Sequence, residues 1–164
     1  MEFKFCPQCG ERLVPKLCGD DGNVPFCERC SRPFFPFSYP CVLCLCITED
    51  GSEIALIKQS YVSEHYVCVA GYIKQGETPE SAAVREVMEE IGLETVSCRY
   101  VKSYYYEKRD NLMLGYVCKV KKGRLVTSCE VDSAEWFPVK KGQELLRNSS
   151  IAQLLLKDYL GGME

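Results

Sequence analysis

Two cysteine pairs limit how the first thirty residues of this chain can fold. Cys6 and Cys9 form one C-x2-C pair, Cys27 and Cys30 form a second, and seventeen residues lie between them. Two thiolates three residues apart grip one side of a tetrahedral ion from a tight turn, and a second such knuckle completes the tetrahedron. Gly10 follows the first pair and can relax its turn. A segment this short cannot bury a core of its own, so a metal is expected to supply the folding energy. Four thiolates leave no open coordination position, which predicts a structural Zn2+ and not a catalytic one. Cys18 lies between the knuckles and has no partner at ligand spacing.

Twelve cysteines in 164 residues also fit a disulfide scaffold, but the N-terminal MEFKFCPQCG has no apolar stretch of the kind a secretory leader needs. The expectation is a cytoplasmic protein with reduced thiols. No apolar run reaches the ~18 residues needed to span a membrane. The balance of 20 Lys and Arg against 23 Asp and Glu, a net charge of −3, gives no basic excess, so nucleic acid is not an expected partner. Cys41, Cys44, Cys46, Cys68, Cys98, Cys118 and Cys129 lie mostly in apolar stretches and read as small buried hydrophobes. His65 is the only histidine, which leaves little for a Cys-His or Ser-His pair to work with.

The first segment, residues 1–38, is rich in Cys, Pro and Gly and ends in a proline-stiffened strap, RPFFPFSYP. Residues 39–164 read as the main domain. Its apolar run 41–47 suits a strand buried on both faces. Asp50-Gly51 predicts a hairpin turn, with 54–58 as the returning strand. Further strands are expected at 66–70, 96–106, 112–120 and 134–139, and helices at 79–91 and 150–160. Strands on either side of a central helix predict an α+β or mixed α/β domain.

The stretch 71–93, GYIKQGETPESAAVREVMEEIGL, carries the chemistry. Thr78 is a good N-cap, Pro79 suits the first helical position, and Gly92 lies where a left-handed residue ends the helix. Ala83, Val84, Val87, Met88 and Ile91 recur at helical spacing and predict the buried face. Glu86, Glu89 and Glu90 then fall on the opposite face. Three carboxylates on one patch repel each other unless a cation sits among them, and oxygen donors select a hard ion such as Mg2+ or Mn2+. Such ions bridge phosphate oxygens, which points to a phosphorylated substrate.

The full spacing is G-x5-E-x7-R-E-x-x-E-E-x-G, carried by Gly71, Glu77, Arg85, Glu86, Glu89, Glu90 and Gly92. It resembles the signature of the Nudix hydrolases at every specified position. The resemblance implies a mixed-sheet α/β/α sandwich and Mg2+-dependent hydrolysis of a nucleoside diphosphate linked to another group. It makes Glu86 and Glu90 metal ligands, and Glu89 a further ligand or the group that activates water. It has Arg85 orienting a carboxylate such as Glu77, Gly71 letting the chain pass close to the site, and the carbonyl of Ala70 as a further metal contact.

A four-cysteine ribbon ahead of such a domain resembles the bacterial NADH pyrophosphatases, along nearly the whole chain. That family often carries a further region ahead of the ribbon, which is not in this sequence. The resemblance implies a nucleotide substrate, cleavage to two monophosphates and a homodimer. It makes Glu130, six residues before Trp136, a distal metal ligand, with a surface strand residue as the alternative. It sets Phe35 and Tyr72 against a base or nicotinamide ring and Ala152 at the substrate pocket. Packing within the strap accounts for Phe35 equally well. The family's S-Q-P-W-P-F-P-x-S array is replaced by SYYYEKRDN at 103–111, where only the first serine is retained. Tyr104, Tyr105 and Tyr106 could stack on a base there, and Lys108 or Arg109 could contact phosphate, or the segment is an alternating strand entering a turn. A NAD(H)-like or ADP-ribose-like substrate is expected. The alternative is a non-catalytic nucleotide sensor or zinc-ribbon interaction protein on the same shell.

Overall fold

The computed structural model describes residues 3–162, and the chain divides into two units, Met1–Tyr39 and Pro40–Glu164. In the first, β1 (Val14–Leu17), β2 (Asn23–Cys27) and β3 (Arg32–Pro33) form a three-stranded antiparallel sheet. None of these strands was expected. Both β1 and β2 contain a proline, and all four residues of β1 are exposed, so no alternation marks them. The buried apolar residues are Cys6, Val24 and Cys27, which is little core for such a segment. Phe3 adds ring contacts with Phe34 and Phe37, at centroid distances of 5.8 and 5.5 Å.

The layers of the second unit follow from the apolar run. It forms β4 (Tyr39–Thr48), in which eight consecutive residues from Cys41 are buried. Val42, Cys44 and Cys46 point into one core cluster, and Leu43, Leu45 and Ile47 point into another. Both faces of the strand are covered, so the sequence shows no polar alternation. The strand returns through the Asp50-Gly51 turn, where Gly51 has φ 79° and donates to the Thr48 carbonyl at 2.9 Å. β5 (Glu53–Gln59) then pairs antiparallel with β4.

The region expected as one strand at 66–70 is two. β6 (Ser63–Val67) pairs with β5, and β7 (Val69–Tyr72) pairs with β4, with the break at Cys68. Then follow α1 (Pro79–Ile91), β8 (Thr95–Tyr106), β9 (Asn111–Val120), β10 (Ser133–Pro138), α2 (Val139–Leu145) and α3 (Ile151–Gly161). The sheet order is β10-β5-β4-β9-β8, with β6 and β7 at the side. Helix α1 packs into the first cluster through Ala82, Ala83, Val87 and Ile91. Val139, Leu155, Leu156 and Tyr159 of α2 and α3 pack into the second. This is an α/β/α sandwich. Leu45, Ile47, Leu56, Ile57, Leu155 and Leu156 are completely enclosed, each contributing about 1.5–3 kcal/mol of burial energy.

Helix α2 was not expected, because VKKGQEL has no apolar period and carries a glycine. Gly142 sits in a tight place, since a Cβ there would meet Leu156 at 3.2 Å and Ile54 at 3.3 Å. Ser150 caps α3, its hydroxyl accepting from Gln153 N–H at 3.2 Å. Among the described residues all twelve cysteines are free. Cys129 is exposed, where a buried position was expected. Among them, too, no helix is long and apolar enough to cross a membrane.

Candidate active site

Helix α1 is started by a capping box: Thr78 accepts from Ser81 N–H at 3.2 Å and Ser81 Oγ accepts from Thr78 N–H at 3.0 Å. Gly92, at φ 67°, ends it in the left-handed conformation. The rotation of this helix against the sheet corrects the expected division of its faces. Glu86 and Glu90 are buried, at 9% and 5% exposure, while Val84 and Met88 stand at 40% and 50%. Only Glu89 of the three glutamates projects to solvent, with its side chain 51% exposed.

Arg85 organises the group. Its Nε and Nη2 donate to the two carboxylate oxygens of Glu77 at 2.5 and 2.8 Å. Its Nη1 donates to Glu86 at 2.6 Å and to Glu89 at 2.9 Å, and Nη2 also reaches the Tyr72 carbonyl at 3.1 Å. The fixed guanidinium fork therefore ties the loop before α1, the end of β7 and the helix together. Its hydrogen bonds to Arg85, followed by one from Lys74 N–H, pull the Glu77 carboxyl down to a pKa of about 2. Lys74 also lies 3.7 Å from Glu89.

Glu90 has no such cation. Its Oε1 accepts from Gln59 Nε2 at 3.3 Å, and its Oε2 is buried without a partner. Burial first, and the Glu86 charge second, raise its pKa to about 7, against a weaker downward pull from the Ala70 backbone. A buried orphan oxygen beside a second carboxylate is costly as it stands and suits a divalent cation. Gly71 keeps the space clear: a Cβ there would sit 2.0 Å from the Glu86 carboxyl. The donor set of Glu86, Glu90 and a nearby backbone is all oxygen, which fits Mg2+ or Mn2+.

Glu130 lies in an exposed turn, and its charge reaches Glu90. Val126 N–H donates to the Ile91 carbonyl at 3.0 Å and Ser128 N–H to the Glu90 carbonyl at 3.3 Å, so this loop runs along the end of α1. Tyr72 is 53% exposed. The tyrosine-rich segment divides. Tyr104 donates to Asp158 of α3 at 2.6 Å, which ties this strand to that helix. Ala152 packs with Tyr104 in the second core cluster. Tyr105 is exposed and donates to Asp110 at 2.6 Å; Tyr106 is half-buried and Arg109 exposed. Phe35 belongs to the first unit, where it is 49% exposed.

Gln59 was missed. Its signal was a polar residue in phase with Ala55 and Ile57, which face the core that α1 covers.

The four cysteines form the other donor cluster. Their sulfurs all lie within 4.8 Å of one another, with Cys6 to Cys30 at 3.9 Å and Cys9 to Cys27 at 3.5 Å. A tetrahedron with metal–sulfur bonds of ~2.3 Å has edges of about 3.8 Å, so these spacings fit Zn2+. The first knuckle is closed by Gly10 N–H donating to the Cys6 carbonyl at 2.9 Å. The Cys9 sulfur, and then burial, push the Cys30 thiol up to about 12. Among the described residues no three carboxylates gather this closely.

Comparison with known proteins places the site in context. The NUDIX domain family matches residues 38–157. The chain is 32% identical over 161 residues to a Pseudomonas syringae pv. syringae protein named NAD-capped RNA hydrolase NudC, covering 97% of this chain and 56% of that one. A Pseudomonas aeruginosa protein of the same name is 31% identical, covering 96% and 55%. The chain thus spans a little over half the length of the curated relatives it matches. A NUDIX hydrolase crystal structure from Nitrosomonas europaea superposes with a TM-score of 0.70 at 19% identity, covering 96% of this chain and 88% of that one, which speaks for the fold.

Proposed function

The chain belongs to the NUDIX family, and from that premise we propose that it is a divalent-cation-dependent pyrophosphohydrolase. Its substrate is the diphosphate of a NAD-like dinucleotide or an ADP-ribose-like conjugate, which it cleaves to two monophosphates. The observation that carries this reading is the orphan Oε2 of buried Glu90 beside Glu86. Glu86 and Glu90 would hold Mg2+ or Mn2+, with Glu89, Glu130 and the Ala70 carbonyl as further donors. An ion there neutralises diphosphate charge and acidifies water. Arg85 keeps Glu86 and Glu89 in place and, through Glu77, fixes the approach loop to the helix. Glu89, half exposed and steered by Arg85, is the carboxylate placed to take a proton from the attacking water. Tyr72, beside Gly71, offers a ring to a base or nicotinamide.

Cys6, Cys9, Cys27 and Cys30 would hold a structural Zn2+ in a separate domain, 1–38, ahead of the catalytic domain 39–164. A homodimer belongs to the same reading, and sedimentation tests it. The relatives' name adds a NAD-capped RNA to the substrates to try. The net charge of −3 disfavours a long backbone groove, but a terminal cap presents only one dinucleotide.

The test is product analysis. Purified protein is incubated with Mg2+ and, separately, NAD+, NADH, ADP-ribose and a NAD-capped RNA. The expected products from NAD+ are AMP and nicotinamide mononucleotide. An absence of cleavage across the panel with both Mg2+ and Mn2+ overturns the enzymatic reading and leaves a nucleotide-binding protein.

A further inference from the structure

Strands β5 and β6 are joined by a three-residue tip, Ser60-Tyr61-Val62, closed by Val62 N–H donating to the Gln59 carbonyl at 2.8 Å. The tip is fastened to the candidate active site at two points. Gln59 Nε2 donates to Glu90 Oε1 at 3.3 Å. On the other side, Ser60 N–H donates to Asp132 Oδ2 at 2.6 Å, and Asp132 N–H returns to the Lys58 carbonyl at 2.9 Å. Asp132 lies two residues beyond Glu130, so the same loop carries both.

Between these fastenings Tyr61 is 66% exposed. Neither core cluster includes its ring. Burial and then the charges of Glu130, Glu90 and Asp132 raise its phenol pKa, and Arg109 acts in the opposite sense. The ring therefore stands within electrostatic reach of the carboxylate group and of Arg109. A pinned hairpin that holds a large aromatic side chain in water at the edge of a phosphate-cleaving site presents a flat, pre-ordered face to whatever binds there.

We propose that Tyr61 is a substrate-contact residue, its ring a stacking face for the flat heterocycle of a dinucleotide whose diphosphate lies on the Glu86–Glu90 carboxylates. This rests on the pyrophosphohydrolase reading above. Arg109, whose charge acts on the Tyr61 phenol, is a fork available to a phosphate oxygen. Tyrosine loses little side-chain freedom on stacking, and removing such a ring weakens binding by roughly tenfold or more. The prolines expected of a substrate loop are missing from 103–111, and Tyr104 there is taken by Asp158, so a ring on a different hairpin can supply the contact.

The experiment is steady-state kinetics with Mg2+ on NAD+ and ADP-ribose for the wild type, Tyr61→Ala and Tyr61→Phe. Tyr61→Ala is expected to raise KM for NAD+ about tenfold and to leave kcat within about twofold. Tyr61→Phe keeps the ring and restores KM. A parallel rise in KM for ADP-ribose places the ring on the adenine that both substrates share; a rise for NAD+ alone places it on nicotinamide. Unchanged KM for both, or a fall in kcat alone, overturns the proposal while the wild-type turnover preserves the function beneath it. If the wild type cleaves neither substrate, the enzymatic reading fails. The contact is then decided by titrating NAD+ into metal-free wild type and Tyr61→Ala, where equal affinities overturn it.

Discussion

The four cysteines of the first unit and the glutamates of α1 are both clusters of candidate metal donors, but the protein holds them in opposite ways. The sulfurs crowd within 4.8 Å of one another, on a segment whose buried apolar residues are few. The carboxylates are spread out, and Arg85 bonds Glu77, Glu86 and Glu89 while α1 is anchored by Ala82, Ala83, Val87 and Ile91. On the proposed reading, the first cluster takes up an ion in order to fold. The second folds around its own arginine and leaves a single buried oxygen, Glu90 Oε2, for an ion to satisfy. A closed site and an open site thus follow from where the counter-charge is built in.

Stripping the metal from the thiolates is the strongest way to break this comparison. A structural Zn2+ is worth about 10–16 kcal/mol to a small finger-like fold. Cys27→Ser, or a chelator with a thiol reagent, is therefore expected to unfold the first unit and release one equivalent of Zn2+. Hydrogen exchange should show that loss, with protection of β4 and α1 retained. Next in size is Glu90→Gln, which should cut turnover on the order of 10³-fold, about 4 kcal/mol of lost ion-dependent stabilisation. Its Tm should hold or rise, because a neutral amide replaces a buried, half-partnered carboxylate. A Tm that collapsed would put Glu90 in the same class as the cysteines.

Gly71→Ala tests the space kept beside Glu86. A Cβ placed 2.0 Å from that carboxyl must displace it, so a loss of about 1–3 kcal/mol by denaturant titration is expected, together with reduced activity. Tyr104→Phe should cost about 0.5–1.5 kcal/mol through the lost bond to Asp158 and leave KM unchanged, which separates a strut from a substrate contact.

The smallest effect is on pH. The folded pKa of Glu77, about 2, is depressed below its ordinary value of 4.5. The stability it contributes is complete above about pH 4.5 and drains away as pH falls toward 2. Glu77→Gln should flatten that acid limb of the Tm profile, and an unchanged limb would remove the Arg85 pairing from the account.

Much of this site was legible before the fold. The cysteine spacing, the caps Thr78 and Gly92, and the run of Glu77, Arg85, Glu86, Glu89 and Glu90 are all local, and local chemistry is written in order along the chain. The three strands of the first unit were not legible, because each carries a proline and β1 is exposed along its whole length, which leaves no alternation to mark a strand. Helix α2 was hidden by Gly142, whose place is explained by packing against Leu156 and Ile54, 14 and 88 residues away along the chain.

The sequence by itself determined a cluster of four cysteines, a capped helix carrying an arginine and three glutamates, and a central strand buried on both faces. Only the tertiary structure decided that Glu86 and Glu90 turn inward while Val84 and Met88 face water. It also decided that Gln59 holds Glu90 from 31 residues away and that Tyr104 serves Asp158 from 54. Helical spacing sets the angles between side chains but not which arc meets the sheet, and a polar residue in a strand does not name its distant hydrogen-bond partner until the chain has packed.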